Sequence, residues 1–373
     1  MISGATFESA LRGFLAPVNA FLDDESVTEV LINGPDEIFI ERKGQLARTD
    51  ARFPSVDALL SALRVIAQYV GRTFNEKHPI LEARLPSGSR VQALLPPVSP
   101  SGPSVAIRRF SRDRLTLSKL LAFGALTPDA AETLRILVEC KQNIVVAGGT
   151  GSGKTSLLNA LSAFIPEGER ILVIEDAREL QLQRDHVVQL EARPPDARGE
   201  GAISIRELFR ASLRMRPDRI VLGEIRGGEA LDLVQAMTSG HGGCLTTVHA
   251  TYPRDTMNRL ETMALMGGVD LPLSALRPQL ASAVDIIVQT ARLRDGRRVV
   301  THLSEVCGVD TVAGYVLRDL FTSVAPARPV KNGVPPASLA PTGLLPECHA
   351  LILAHGFELP ASVLDAARRR ERA

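Results

Sequence analysis

The chain has 373 residues, of which 45% are apolar and 23% are charged, so we expect two soluble globular domains and exclude a disordered or fibrous protein. Its 43 basic and 42 acidic side chains leave a net charge of +1, which gives no electrostatic reason to expect non-specific nucleic-acid binding. Because Cys140, Cys244, Cys307 and Cys348 form no CxxC pair, we predict neither a zinc site nor a disulfide framework, in keeping with a reducing cytoplasm.

The first residues predict an amphipathic helix over residues 5–24 and not a signal peptide, since no basic region precedes an apolar run. The longest uncharged stretch, residues 233–253, contains two His, four Thr and three Gly. A transmembrane helix needs about 20 apolar residues, so none is predicted, and any membrane role would act through partner proteins.

A small α+β domain is predicted over residues 21–110, after an N-terminal helix assigned to residues 1–20. Alternating apolar positions predict its strands, and Asn33 to Asp36 predict a turn. The expected elements are strands within residues 27–40, a helix over residues 59–69, strands over residues 84–95 and 105–110, and a Pro/Ser/Gly-rich loop over residues 96–103.

From Thr127 onward, short β-branched runs alternate with helical segments, which predicts a parallel sheet with helices on both faces. Strands are expected over residues 143–147, 171–174, 219–222, 244–248 and 285–289. The predicted order is a hinge-like linker at 111–125, an α/β domain at 126–310 and a C-terminal appendix at 311–373, with Pro-rich residues 326–346, a short helix near Ala350 and a basic end at 368–372.

The strongest motif is a P-loop between a predicted strand and an apolar-periodic helix. Its glycines allow backbone N–H groups to turn toward phosphate oxygens at a helix N-terminus. The lysine can reach the β- and γ-phosphates, and the threonine hydroxyl can serve Mg²⁺. The predicted nucleotide-binding residues are Gly148, Gly149, Thr150, Gly151, Ser152, Gly153, Lys154, Thr155 and Ser156.

Three further elements follow predicted strands, on the side of a parallel sheet where ligands bind. Acidic residues 175–179 could orient a water on the γ-phosphate, although a solvated acidic loop is the alternative. Residues 219–224 end in Gly223 and Glu224 where a Walker B strand usually ends in Asp. His249 would close a strand near the phosphates, as a phosphate sensor or as a structural hydrogen-bonding group.

Together these elements resemble the secretion ATPase superfamily of type II and type IV secretion and type IV pili. That family orders a P-loop, an "Asp box", a Walker B strand ending in Gly-Glu and a "His box". The sequence is most similar to the CpaF/TadA-like ATPases of tight-adherence (Tad/Flp) pili, notably at residues 212–219, 223–227 and 259–263. N-terminal motifs at 27–37, 83–91 and 107–110 extend the resemblance to about residues 20–310.

The resemblance implies a RecA-like P-loop NTPase domain that follows a smaller α+β domain in the sequence, and Mg²⁺-dependent ATP hydrolysis. It implies that Glu179 positions the attacking water and that His249 senses the γ-phosphate. It implies that Glu224 acts through Mg²⁺, directly or by way of a water, with Thr155 as the other residue at the metal. It also implies that arginines close over the nucleotide from the N-terminal domain: Arg84, Arg90, Arg108 and Arg109. Surface salt bridges in a β-hairpin are the alternative for Arg84 and Arg90.

The resemblance further implies a homo-hexameric ring in the cytoplasm that drives inner-membrane platform proteins of a pilus or secretion machine. A nucleic-acid-dependent translocase on a related core is the main alternative, against which stand the neutral charge and the shortage of stacking aromatics: no Trp and three Tyr. A P-loop switch without rapid turnover and a small-molecule kinase are the other readings.

Overall fold

A computed structural model of the chain describes residues 4–42, 44–109, 115–196, 199–323 and 339–372. Its internal contacts divide the chain into two compact units. The first contains Met1–Asp113 and Pro194–Ala202, and the second contains Arg114–Arg193 and Ile203–Ala373. Within the described ranges, no helix combines the length and the apolar character that crossing a bilayer requires.

The first unit is an α+β structure with three helices and six strands in its described part. The elements in chain order are α1 (Gly4–Phe14), α2 (Asn19–Asp23), β1 (Val27–Asn33), β2 (Ile38–Arg42), β3 (Gln45–Arg48), α3 (Val56–Tyr69), β4 (Ile80–Arg84), β5 (Arg90–Leu94) and β6 (Ser104–Arg108). The strands form one antiparallel sheet in the order β3-β2-β1-β6-β5-β4.

One face of this sheet supplies the core of the first unit. Val30, Val91 and Ile107 point inward from β1, β5 and β6 and are buried with Leu63 and Ile66 of α3. Their spacing follows from the period of two in a strand, which sends every second side chain to the same face. The opposite face therefore carries the intervening positions, including several arginines.

Two predictions for this unit need correction. The expected continuous helix over residues 5–24 is interrupted by a 3-10 turn at Ala16–Val18, because Pro17 has no N–H to donate to a preceding helical turn. The strand expected over residues 84–95 has other bounds: β4 ends at Arg84, β5 begins at Arg90, and Gly88 adopts a φ of 89° in the turn of the hairpin that they form.

The second unit is an α/β structure built on a nine-stranded sheet. Its elements are α4 (Leu117–Ala122), α5 (Pro128–Glu139), β7 (Ile144–Gly148), α6 (Lys154–Ser162), β8 (Ile171–Glu175), β9 (Val187–Glu191), α7 (Ile205–Ser212), β10 (Arg219–Leu222), α8 (Glu229–Thr238), β11 (Leu245–His249), α9 (Pro253–Leu265), α10 (Leu273–Ala283), β12 (Ile286–Arg292), β13 (Arg298–Asp310), β14 (Gly314–Ser323), β15 (Leu339–Pro341), α11 (His349–Ala354) and α12 (Ala361–Glu371).

The strand order is β15-β14-β13-β12-β7-β11-β10-β8-β9, and the six strands from β12 to β9 are parallel. Adjacent residues of β7 enter different cores: Val146 packs with Leu158 of α6, whereas Val145 packs with Leu233 of α8. The sheet is therefore covered by helices on both faces, as predicted, and its central strands are almost wholly apolar.

The C-terminal part of the chain is not a separate appendix. Strand β13 continues the sheet from β12, β14 crosses the predicted boundary at residue 311, and β15 pairs with β14. Ile352 of α11 and Val363 of α12 are buried in the same core as α5 and α6. Residues 326–338 of the Pro-rich stretch and residues 111–114 of the predicted linker lie outside the described residues.

Candidate nucleotide-binding site

The segments that carry the four predicted motifs leave the same edge of the second unit's sheet. Gly148 at the end of β7 is paired with His249 of β11 on one side and Thr290 of β12 on the other. Farther along, Ile174 of β8 is paired with Leu222 of β10. Since parallel strands end at a common edge, the loops after β7, β8, β10 and β11 emerge side by side, where α/β sheets bind ligands.

The start of the P-loop has no room for a side chain. A Cβ atom on Gly148 would lie 2.2 Å from Thr290 Oγ1 and 2.4 Å from Ser152 Oγ. These two hydroxyls contact each other at 2.8 Å, and Thr290 Oγ1 also donates to the carbonyl of Ala147 at 2.9 Å. Strands β7 and β12 are thereby joined at the point where the loop begins.

The loop then wraps around the lysine. Gly151 and Gly153 have φ values of 68° and 96°, a left-handed conformation that glycine adopts without steric cost. Lys154, the first residue of α6, is buried, and its Nζ donates to the carbonyl of Gly149 at 3.0 Å. Thr155 and Ser156 follow in the first turn of the helix and are half-buried, so the predicted phosphate-binding residues share one helix N-terminus.

The acidic segment after β8 has a buried member and a half-buried member. Glu175 is 4% exposed, and its Oε1 accepts the backbone N–H groups of Glu179 and Leu180, each at 2.8 Å. Burial raises the pKa of Glu175 to about 7, against the opposing effect of these two hydrogen bonds. Glu179, the predicted water-positioning residue, is half-buried.

Glu175 also explains the unusual end of β10. A Cβ atom on Gly223 would lie 3.0 Å from Glu175 Cγ, so the buried glutamate fills the space that a side chain after this strand would need. The first acid after β10 is accordingly Glu224, one residue farther along the chain.

Glu224 lies between an arginine and the predicted sensor histidine. Its Oε2 accepts from Arg226 Nε at 2.8 Å and from Arg226 Nη2, with 2.6 Å between the atoms. Its Oε1 lies 2.8 Å from His249 Nε2, but the two are not aligned as a hydrogen bond, and Oε1 is a buried acceptor with no hydrogen-bond partner in the described part of the chain.

His249 connects this acid to the P-loop. Lys154 Nζ lies 3.4 Å from His249 Nδ1 and 3.5 Å from Nε2. Burial lowers the pKa of His249, the Lys154 charge lowers it further, and Glu224 opposes both. The imidazole is therefore neutral at pH 7 and can accept a proton or donate one hydrogen bond. His241, the other histidine of the "His box", lies before β11 and thus at the opposite end of that strand.

Three of the four predicted arginines of the first unit form a row. Arg84 is paired with Arg90 across β4 and β5, and Arg90 is paired with Arg108 across β5 and β6. Like charges placed directly opposite each other destabilise a sheet, and here they lie on the face away from the core. Arg90 Nη2 also lies 3.6 Å from Glu82 Oε1, so an acid offsets part of the positive charge in this row.

Arg109 does not belong to this row, which differs from the prediction. Its Nε donates to the carbonyl of Leu22 at 2.7 Å, and its Nη1 donates to the carbonyls of Asp24 at 2.5 Å and Val27 at 2.7 Å. These bonds fasten the segment between α2 and β1 to the end of β6. These three bonds indicate a structural tie, and the predicted contact of Arg109 with a nucleotide stays a prediction.

The structure also brings to the site residues that sequence reasoning did not select. Arg226 Nη1 donates to Asp176 Oδ2 at 3.0 Å, Glu175 supports the loop of Glu179, and Arg298 Nε donates to the carbonyl of Gly151 at 2.8 Å. Asp176 and Glu175 lay inside the predicted acidic segment, and Arg226 follows Glu224 by two residues. Arg298 of β13 had no local signal, because it reaches the P-loop through the pairing of β13 with β12 and of β12 with β7.

Comparison with known proteins finds a matching family and several related chains. The family described as "Type II/IV secretion system protein" matches residues 14–318. A Mycobacterium tuberculosis (strain H37Rv) protein provisionally named as conjugal transfer protein Rv3659c is 36% identical over 310 residues, covering 82% of this chain and 86% of its own. The type IV secretion system protein VirB11 of Bartonella quintana is 35% identical over 328 residues, covering 78% and 91%.

Among solved structures, the pilus retraction motor PilT with bound ADP aligns with a TM-score of 0.52 at 19% identity, covering 83% of this chain and 81% of its own. At that identity the likeness concerns the fold alone. It agrees with the predicted α/β fold, in which a smaller N-terminal domain precedes a RecA-like domain in the sequence.

Proposed function

The chain belongs to the type II/IV secretion system protein family and is an ATPase, and we propose that it is the motor of a pilus-assembly or protein-secretion machine. One observation carries the proposed site: three motifs converge on one point. Lys154 Nζ lies 3.4 Å from His249, and His249 lies 2.8 Å from Glu224. These residues are 95 and 25 positions apart in sequence, so their convergence depends on the fold.

In the proposed reaction, the P-loop N–H groups and Lys154 hold the β- and γ-phosphates, which are the natural ligands of a helix N-terminus with a lysine. Glu179 orients the attacking water from the loop after β8. His249, neutral at pH 7 because of its burial and the Lys154 charge, reports the γ-phosphate by a hydrogen bond. When the nucleotide binds, Lys154 Nζ exchanges its hydrogen bond with the Gly149 carbonyl for contacts with phosphate oxygens.

The residues present fit a magnesium ion. Glu224 Oε1 is a buried carboxylate oxygen without a hydrogen-bond partner among the described residues, and such an oxygen is a suitable ligand for Mg²⁺ or for one of its waters. We propose that Thr155 and Glu224 hold this ion, which when bound neutralises charge on the phosphates.

We further propose that the arginines of the first unit complete the site in an assembled ring. Arg84, Arg90 and Arg108 lie in one row, beside which Glu82 pairs with Arg90, and a polyphosphate could make charge-assisted hydrogen bonds with such a row. The ring is proposed to be a homo-hexamer, with Tad/Flp pilus assembly as the specific process and inner-membrane platform proteins as partners. Sequence similarity at residues 212–219 and 223–227 supports the Tad/Flp branch, whereas the relatives described above are named for conjugal transfer and type IV secretion.

The test is ATP turnover of the purified protein as a function of its concentration, with Lys154→Ala and Arg84→Ala as comparisons. We expect a rate per subunit that rises with concentration and falls strongly in both variants, since the arginine of one copy would serve a shared site. A concentration-independent rate that Arg84→Ala leaves unchanged would contradict closure by these arginines. Strong stimulation by DNA or RNA would instead indicate a translocase.

A further inference from the structure

We propose that Arg226 is a positioning residue which holds the loop after β8 and the loop after β10 at a fixed separation, so that Glu179 and Glu224 act on one nucleotide together. This inference rests on the proposed function. The observation behind it is that a single guanidinium contacts acids of both loops, Asp176 and Glu224.

The contacts use three nitrogens of the planar group. Nε and Nη2 bind the same oxygen of Glu224, with distances of 2.8 and 2.6 Å, and Nη1 binds Asp176 Oδ2 at 3.0 Å. Arginine can direct N–H bonds to two acceptors at once because its donors lie in a rigid fork, whereas the lysine ammonium is a point charge on a flexible stem.

The backbone beneath Arg226 is itself fixed. Glu229, at the start of α8 and 8% exposed, accepts the N–H groups of Arg226 at 2.7 Å and Gly227 at 2.9 Å through one carboxylate oxygen. The loop after β10 therefore has little freedom at this residue, and the side chain transmits that position to Asp176. Asp176 precedes Glu179 by three residues in a loop whose other end is held by Glu175.

The electrostatics agree with this arrangement. Although burial alone would lower it, the pKa of Arg226 is held above its ordinary value by Glu224, Asp176 and Glu179. The cation thus interacts with the acids of both loops, including the one assigned to the attacking water.

The contribution of these ion pairs to folding stability does not account for the presence of Arg226. The side chains of Arg226 and Asp176 are 52% and 45% exposed, and ion pairs exposed to this degree contribute little to folding. A role in alignment, in contrast, would appear in the rate of hydrolysis, since residues that orient catalytic ligands typically affect activity about 10- to 100-fold.

The experiment compares Arg226→Ala, Arg226→Lys, Asp176→Ala and the double variant Arg226→Ala with Asp176→Ala. We expect kcat for ATP to fall roughly 10- to 100-fold in each, with KM and the affinity for a fluorescent ATP analogue changed less than about threefold. The double variant should be no slower than Arg226→Ala, because both changes remove one linkage. The urea midpoint should stay near that of the unaltered protein.

The matched control is Arg277→Ala. Arg277 also makes two contacts with one carboxylate, Glu261, at 2.9 and 3.2 Å, with a side chain 41% exposed, but it joins α9 and α10 and not the two loops. Its kcat should be unchanged, so a comparable loss there would show that such pairs act through general stability.

Several outcomes would overturn the proposal. Unchanged kcat in Asp176→Ala, losses that multiply in the double variant, or full activity of Arg226→Lys would show that Arg226 does not act by joining the loops. Lys154→Ala separates this from the proposed function: turnover that survives Lys154→Ala contradicts the site, whereas turnover lost there but normal in Arg226→Ala and Asp176→Ala contradicts the positioning role alone. A protein with no turnover contradicts both.

Discussion

Glu175 supports the backbone of Glu179: the N–H of Glu179 donates to Glu175 Oε1 at 2.8 Å. Leu180 donates to the same oxygen at the same distance. The residue proposed to orient water is therefore placed by another carboxyl group, one that is buried and expensive to ionise. This pair gives the acidic loop its shape and also makes its stability depend on pH.

The first prediction concerns that dependence. The pKa of Glu175 is raised from 4.5 to about 7 by burial, so between these values the folded chain keeps a proton that the unfolded chain releases. Stability from this group is therefore lost as pH rises through that range. Glu175→Gln keeps an oxygen for both N–H groups and should raise the free energy of unfolding by about 2–3 kcal/mol at pH 8, but by less than about 1 kcal/mol at pH 5.

Urea unfolding of both proteins at the two pH values measures this difference. An equal effect of Glu175→Gln at pH 5 and pH 8 would mean that Glu175 does not titrate between them.

The second prediction separates binding from hydrolysis. Glu179→Gln and Glu224→Gln should each lower turnover by about 100-fold or more while ATP still binds, because neither change alters the P-loop. Lys154→Ala should abolish binding. Steady-state turnover and binding of a fluorescent ATP analogue distinguish the two effects, and Glu358→Gln, an exposed glutamate of the same unit, serves as the control. Normal hydrolysis by Glu224→Gln would refute the site assignment.

The third prediction concerns Arg109. Because its guanidinium serves three carbonyls, Arg109→Ala should lower the unfolding free energy by about 1–3 kcal/mol and leave nucleotide affinity nearly unchanged. Arg84→Ala should show the reverse, a loss of turnover with little loss of stability. Chemical denaturation with nucleotide binding tests both, and a stable Arg109→Ala variant that has lost turnover would restore Arg109 to the nucleotide site.

The fourth prediction concerns Arg298, whose Nε donates to the carbonyl of Gly151. The carbonyl of a loop whose N–H groups turn toward phosphate needs a partner outside the loop. Removing this hydrogen-bond partner in the Arg298→Ala variant should weaken ATP and ADP binding equally, by about threefold to tenfold. Isothermal titration with both nucleotides measures this, and Arg294→Ala, exposed on the same hairpin, is the control. A much larger loss for ATP would indicate direct contact with the γ-phosphate.

Local patterns identified the parts of the fold that local physics determines. The apolar runs at β7, β8, β10 and β11 are strands because they are buried on both faces of a parallel sheet. The bounds of β4 and β5 were wrong because alternation continues into the turn at Gly88. Strand β9 was missed because its residues are only partly buried at the edge of the sheet, so the apolar signal is weak.

The residues of the candidate site also differ in whether the sequence could place them. The P-loop, Glu224 and His249 follow strand ends, so their convergence could be anticipated from the sheet alone. The direction in which a charged side chain points could not be anticipated in this way. Arg108 and Arg109 are neighbours in sequence, yet only Arg108 lies in the row of arginines, since Arg109 donates to carbonyls near the start of β1. Contacts of Arg298 and Thr290 with the P-loop depend on a strand pairing more than a hundred residues away.

The crowding at Gly148 has a consequence for genetics. A methyl group at this position would meet the hydroxyls of Thr290 and Ser152, and also the backbone carbonyl of Thr290 at 2.7 Å. A smaller side chain at Thr290 or Ser152 would remove one hydroxyl but would leave the backbone carbonyl of Thr290 in place. Gly148→Ala should thus be a null allele that alters no charged group, and no side-chain substitution at Thr290 or Ser152 should act as its suppressor.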